Sequence, residues 1–293
     1  MARAGVTIGG VALLMYWVAH ERALNCAATW PALLLGLFLS QLSFACYAAR
    51  FRVVMRLADI DLLPMQALKL SARALFYHCL LPLSVGNDLT RFALCRTAAP
   101  TASARLIAGA IVLDHGIGTL ALLLLVCTVS WHLIPVVEFP WQRWCSVGLV
   151  GLLVIGALGH WVHPLRRQFV AWRARLHGHW WLVVQALALS LLMQSVLAAA
   201  VHSGAQAWHI ALPYTQILAV LAASGLLQIL PLNVGGLHLG DVAGTGMYVA
   251  LGLSLSDAIL LGSTLICYRL TMAVIGGLWD LGMPRVQSTK ICL

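Results

Sequence analysis

Charge is what this sequence has least of. Nine acidic and eighteen basic residues in 293 make 9% charged, where a soluble protein carries about 25%. Lysine is nearly missing, with only Lys69 and Lys290, and every other base is Arg. No Cys-x-x-Cys pair occurs and no Cys/His cluster stands at metal-ligand spacing. No Ser/His/Asp or Cys/His arrangement has recognisable spacing. These absences exclude a soluble enzyme, a disordered scaffold and a disulfide-stapled module, and they leave no expected metal or cofactor. Gly235-Gly236-x-x-x-Gly240 is no dinucleotide fingerprint, because no strand is expected before it. The eight scattered cysteines read as small buried hydrophobes. The tract His177-Gly-His179, set among Trp172, Trp180 and Trp181, reads as an interfacial belt.

What is there is apolar. The chain is 61% hydrophobic with a mean hydropathy of +0.92, the composition of a polytopic, all-α integral membrane protein. A span needs about 20 mostly apolar residues. Val6–Ala19 is a short first candidate. Ala23–Ala49, the stretch from Leu106 through Asp114 to Leu133, Trp144–Leu165 and Ala258–Trp279 follow. Leu176–Gly240 has no charged residue and must enter the membrane several times.

The bases gather in some connections and avoid others. Arg50–Arg73, Arg91–Arg105, Arg166–Arg175 and the tail with Arg285 and Lys290 hold nearly all of them, whereas residues 20–29, 132–143, 201–213 and 252–257 hold few or none. Positive-inside logic puts the first set, and both termini, in the cytoplasm. An excess of Arg in such loops suits anionic lipid headgroups and not nucleic acid.

Residues 64–99 start and finish on the basic side; residues 214–251 start and finish on the other. Each is broken by Pro and Gly, at Leu81–Asn87 (LPLSVGN) and Leu230–Gly236 (LPLNVGG), which share five of seven positions. Each is a re-entrant hairpin or a pair of full spans. The chain is expected to be one transmembrane domain, residues 1–293, with pseudo-repeat halves of about 1–133 and 140–282, the second inverted, and a cytoplasmic tail at 283–293. Inverted repeats with matching broken helices are the pattern of secondary transporters, with the substrate held where the breaks meet.

Pro82, Gly86, Pro231, Gly235 and Gly236 are the structural breaks, ending helices and turning backbone N–H groups inward. Asn87 and Asn233 suit turn or cap roles as well as substrate contact. Asp88 and Arg91 follow the first break and Asp241 the second; Asp114, His115 and Arg269 lie within spans. At 1.5 Å per residue Asp114 and Arg269 are roughly 14–18 Å deep, where a charge costs at least about 2.5 kcal/mol and faces an interior or cavity. Two readings stay open: an Asp114–Arg269 pair that ties the halves together, or a substrate- or proton-handling role.

The chain resembles the flippase-like transmembrane domain of lysylphosphatidylglycerol synthases and its stand-alone relatives. Residues 50–56 (RFRVVMR) are similar to the family's Arg-aromatic-Arg segment, 81–96 (LPLSVGNDLTRFALCR) to its Leu-Pro…Gly-Gly-Asp…Arg signature, and 113–125 (LDHGIGTLALLLL) to its Asp-Arg span. Residues 230–280 are similar to its second Pro…Gly-Gly box and Tyr-Arg helix, here Tyr268-Arg269. Asn87 replaces the family's Gly, His115 its Arg, and Gly240-Asp241 its Arg-Glu. The likeness does not extend to the soluble aminoacyl-transferase domain, so it does not imply the synthase reaction.

The resemblance implies a non-enzymatic, multi-pass transporter of the bacterial inner membrane. Its partner is a membrane lipid, anionic or isoprenoid-type, and lipid-pathway membrane proteins are possible companions. The alternatives are a membrane-embedded lipid-modifying enzyme and an accessory subunit of a lipid pathway. Cysteine labelling is expected to find positions near Arg56, Arg96 and Arg173 on the cytoplasmic side, and positions near Glu138 and Gln206 outside. Arg96 and Arg173 on opposite sides would end the inverted-repeat argument.

Overall fold

Charge-free runs of this length form helices because, away from water, only intrahelical hydrogen bonds satisfy the backbone. The computed structural model describes residues 29–80, 86–129, 172, 175–228, 233–234 and 237–281. In order they form α1 (Trp30–Leu57), α2 (Pro64–Leu80), α3 (Gly86–Ala98), α4 (Ala104–Val129), α5 (Trp180–Ala207), α6 (Tyr214–Leu227), β1 (Asn233–Val234), β2 (Leu237–His238), α7 (Leu239–Ala250) and α8 (Leu255–Leu281). Among the described residues α1, α4, α5 and α8 are long and apolar enough to cross a membrane. The shorter α2, α3, α6 and α7 have 17, 13, 14 and 12 residues, about 18–26 Å of helix against a hydrocarbon core of about 30 Å.

The expected spans Val6–Ala19 and Trp144–Leu165 lie outside the described residues, as do Pro82, Pro231, Gly235, Gly236 and the tail 283–293. The stretch from Arg50 to Arg73, expected to be a loop, is corrected. α1 continues to Leu57 and α2 starts at Pro64. The helix runs on because its arginines find protein partners. Arg50 is buried against Asp114, Arg52 Nε donates to the Leu62 carbonyl at 2.6 Å, and Arg56 Nε to Asp61 at 3.0 Å. A second correction concerns the glycine box. A two-residue strand does precede Gly235, but it pairs antiparallel with β2 (Asn233 opposite His238, Val234 opposite Leu237). No βα crossover follows from it, so the dinucleotide reading still fails.

The central packing unit is α1 against α5. Both have 28 residues and they lie 150 positions apart. They run antiparallel: Thr29 N donates to Ala207 O, Ser203 Oγ to Ala32 O, Ser43 Oγ to Met193 O, and Arg50 Nη1 to Ser190 Oγ. Small residues line the seam, with Gly36, Ser40 and Ser43 buried on α1 and Ala186, Ser190, Ala198 and Gly204 on α5. This is the close packing that membrane helices use in place of a hydrophobic drive. Large apolar side chains such as Leu34, Phe38, Val112 and Leu192 point outward.

Both helices end alike. Ile60 N returns to Met55 O at 3.0 Å, and Ile210 N to Ala205 O at 2.8 Å. The reversing residues, Asp59 and His209, take the left-handed conformation at φ 58° and 56°, the usual way to close a helix C-terminus. The packing then crosses over. α2 lies on α8, and α6 on α4, so the first short helix of each half rests on the last long helix of the other half.

The α2–α8 contact depends on glycine. A Cβ on Gly276 would fall on the Ala72 carbonyl and lie 3.0 Å from Arg73 N, whereas one on Gly116 would meet nothing within 4 Å. Gly276→Ala is expected to lose about 1–3 kcal/mol by overpacking, and Gly116→Ala to change little. Thermal unfolding of the detergent-purified variants checks both; equal midpoints would refute the close approach.

Candidate functional site

Two of the residues singled out from sequence, Arg91 and Asp114, converge with Arg50 on one buried point. Asp114 and Arg91 have no exposed surface and Arg50 has 5%. Arg50 grips Asp114 with two parallel bonds, Nε to Oδ1 at 2.8 Å and Nη2 to Oδ2 at 3.0 Å. Arg91 Nη1 adds a third bond to Oδ2 at 3.1 Å. Arg50 Nη1 also reaches Ser190 Oγ at 3.3 Å. The cluster thus joins α1, α3, α4 and α5, and two guanidiniums share one carboxylate. Bidentate charge-assisted bonds of this kind offset part of the desolvation of the buried ions.

The sequence prepares this point locally. Tyr47, Arg50 and Phe51 sit at helical spacing on one face of α1. Arg91 lies over both rings, 4.4 Å from each centroid, and Arg50 lies 5.2 Å from that of Tyr47, so the cations gain cation–π contact where water is excluded. Asn87 Nδ2 approaches the Tyr47 hydroxyl at 3.4 Å. Gly118 leaves room for Arg50: a Cβ there would stand 3.0 Å from Nη1. Among the described residues Arg91 Nε and Nη2 find no hydrogen-bond partner. Two of the three Arg91 nitrogens are thus idle among the described residues.

Beside the buried triad, His115 Nε2 lies 2.9 and 3.0 Å from the two oxygens of Asp88. Unlike the triad this pair is open, with 56% of the His115 side chain and 32% of Asp88 exposed. In the second half Asp241 pairs with Arg269. The Asp114–Arg269 pair, one of the two readings left open, does not form: Arg50 and Arg91 hold Asp114, and Asp241 holds Arg269. Tyr268 is a packing residue here, its hydroxyl donating to Leu33 O at 3.1 Å, while Gln41 Nε2 reaches the Tyr268 carbonyl at 3.3 Å. Asn233 sits in the strand pair, opposite His238, and Gly86 opens α3.

Sequence reasoning missed Arg50, Tyr47, Phe51 and Ser190 as site residues. The signal for the first three was present, since Arg50 directly follows a charge-free run and shares a helix face with two aromatics. A third cluster was also missed. Asp280 at the end of α8 accepts from Arg73 Nε at 2.7 Å and from the Tyr77 hydroxyl at 2.6 Å, both on α2.

The family described as lysylphosphatidylglycerol synthase TM region matches residues 3–278. No curated protein and no solved structure matches the chain.

The triad predicts unequal costs. Asp114→Asn leaves two buried guanidiniums without a counter-charge and is expected to lose about 3–5 kcal/mol. Arg91→Ala leaves the Arg50–Asp114 fork whole and is expected to lose about 1.5–3 kcal/mol. The yield of folded, monodisperse protein is expected to fall in that order; an Arg91→Ala variant less stable than Asp114→Asn would contradict the assigned geometry.

Proposed function

The chain belongs to the family of the lysylphosphatidylglycerol synthase TM region, and on that premise we propose that it moves a lipid with an anionic, phosphate-bearing headgroup between the leaflets of a bacterial inner membrane. The observation that carries the proposal is Arg91. It stands on the second helix of a broken hairpin, wholly buried, with Nε and Nη2 unpartnered among the described residues. A guanidinium held by one of its nitrogens and idle at the others is equipped to take a phosphate oxygen through paired bonds. Tyr47 and Phe51 close over it in this conformation, so in this reading the lipid reaches it when α3 shifts.

An inverted repeat with re-entrant hairpins belongs to the same proposal. Three features support it: the antiparallel α1–α5 pair, the equivalent left-handed ends at Asp59 and His209, and short helices below the length of a span. At the crossing, Ser43 bonds Met193, the position 150 residues on, so corresponding points meet. A second half turned over relative to the first is what such a contact supports, and alternating access then follows from rocking one half against the other. Both termini lie in the cytoplasm in this reading, by the placement of the bases. Chemistry on the lipid finds little support in Asp114, because a carboxylate engaged by two guanidiniums is a poor base.

Leaflet-resolved lipid assays in proteoliposomes test the transport. The protein is expected to speed redistribution of at least one native anionic lipid over empty vesicles, with no change in lipid mass. A mass-changed product would indicate an enzyme instead. Arg91→Ala is expected to lose co-purified anionic lipid in native mass spectra and Arg91→Lys to restore only part of it, since Lys keeps the charge but not the planar fork. Full retention of lipid by Arg91→Ala would remove the phosphate role of Arg91.

A further inference from the structure

Arg50 and Arg52 are two residues apart on α1 and so stand on opposite sides of the helix. Arg50 turns into the bundle to hold Asp114. Arg52 belongs to the outward face, and Arg56 follows it one turn later. That face changes character along its length. Leu34, Phe38 and Leu42 project from it at helical spacing, and it then shrinks to Ala45, Ala48 and Ala49 before ending in the two arginines. α2 and α5 both pack on α1 beside these alanines. A groove of about 360 Å³ opens between them, floored by the alanines, walled by Leu68 and Leu189 and lined at one end by Arg52 and Arg56.

The groove lies at the level where lipid headgroups give way to their chains. At about 1.5 Å per residue, Trp30 and Arg52 are roughly 33 Å apart along α1, close to a hydrocarbon thickness of about 30 Å. Because α1 and α5 run antiparallel, Trp180 and Trp181 stand at the arginine end, where Arg175 Nη1 reaches the Leu57 carbonyl at 3.3 Å. Outward-facing tryptophans thus mark both interfaces. Gln185, which also lines the groove, is one turn deeper than Trp181. The arginines are therefore at headgroup level and the alanine floor at acyl-chain level.

Both arginines are anchored through Nε, Arg52 to the Leu62 carbonyl and Arg56 to Asp61. Among the described residues neither donates a hydrogen bond from its Nη nitrogens; Arg52 Nη2 stands 4.0 Å from Asp61. Asp59 and Asp61 face Arg52, Arg56 and Arg175 at this end, so the balance stays positive. We propose that the groove is a resident-lipid site for a phospholipid of net negative charge. One acyl chain lies on the alanine floor, and Arg52 and Arg56 take the phosphate oxygens through their Nη donors. A choline headgroup would bring a cation of its own to a basic end, so an anionic lipid is favoured over a zwitterionic one. The lipid fills the gap between α2 and α5 and ties the start of the first hairpin to the central helix pair. This site lies across α1 from Arg91 and does not depend on the transport reading.

Native mass spectrometry of the full-length protein tests it, in micelles containing phosphatidylglycerol and phosphatidylcholine with the same chains. The wild-type protein is expected to retain a phosphatidylglycerol more firmly than a phosphatidylcholine. Arg52→Gln combined with Arg56→Gln is expected to weaken that retention roughly tenfold, the scale of two arginines near a membrane surface, and to leave phosphatidylcholine unchanged. Ala45→Leu combined with Ala49→Leu keeps both arginines but fills the floor, and is expected to weaken retention of both lipids; it serves where the glutamine variant does not fold. Glycerol phosphate, which has the anion without the chains, is not expected to displace the lipid. Lipids are counted, so a loss at Arg91 is distinct: Arg91→Ala is expected to keep the groove lipid, and its combination with either double variant to lose it. Equal retention of the two lipids by the wild-type protein, or unchanged phosphatidylglycerol in either double variant, overturns the site. Displacement by glycerol phosphate, or a lipid-free dimer that the groove substitutions dissociate, overturns it as well.

Discussion

A carboxylate deep among apolar helices stays charged only if protein groups do what water would have done, and Asp114 shows how completely this chain meets that demand. Its oxygens accept three bonds from two arginines, and those arginines rest on aromatic faces. Four helices meet there, so the site is also a structural keystone: α1 supplies Arg50 and the rings, α3 supplies Arg91, α4 the acid, and α5 the Ser190 hydroxyl. With two cations on one anion, the balance is uneven at the place where the chain is most sealed. That imbalance is what the proposed phosphate contact of Arg91 rests on.

Composition and charge-free runs were enough to read the membrane class and the long helices α1, α4 and α8, because hydrocarbon permits so few backbone solutions. That Asp88, Arg91, Asp114 and His115 would be paired was legible for the same reason, since a charge in such a run demands a partner. Which partner was not legible. Asp114 and Arg269 stood at similar depths in corresponding spans, and nothing in one dimension says that Arg50 and Arg91 take the one while Asp241 takes the other. Arg50 itself was hidden by its neighbours: Arg52 and Arg56 make the segment look like a basic loop, while the helix rotates Arg50 inward and directs the other two to Leu62 and Asp61. Tyr268 was misleading in the opposite sense, being conspicuous beside Arg269 yet used to pack against Leu33.

The two halves share their plan but not their chemistry. Their long helices pair through small residues and their turns close with the same bonds, while the buried charges are concentrated in the first half and at α1. The described part of the second half is built instead around Ala, Leu and Val in α6, with the Asp241–Arg269 pair as the ion pair within it. In the repeat proposed above, one scaffold is filled with unequal polar content.

The crossed packing of α2 on α8 and α6 on α4 has a consequence for how the chain is made. Synthesis runs from the N-terminus, so α2 enters the membrane long before α8 exists, with Arg73 and Tyr77 still awaiting Asp280. The first half cannot settle as an independent unit, and its contacts are of high sequence separation, which slows their formation. Until the last helix arrives, the nascent protein carries an arginine and a glycine-matched surface that want a partner. That places the burden of assembly at the end of translation, on the insertion machinery and on any chaperone that shields helices in the bilayer.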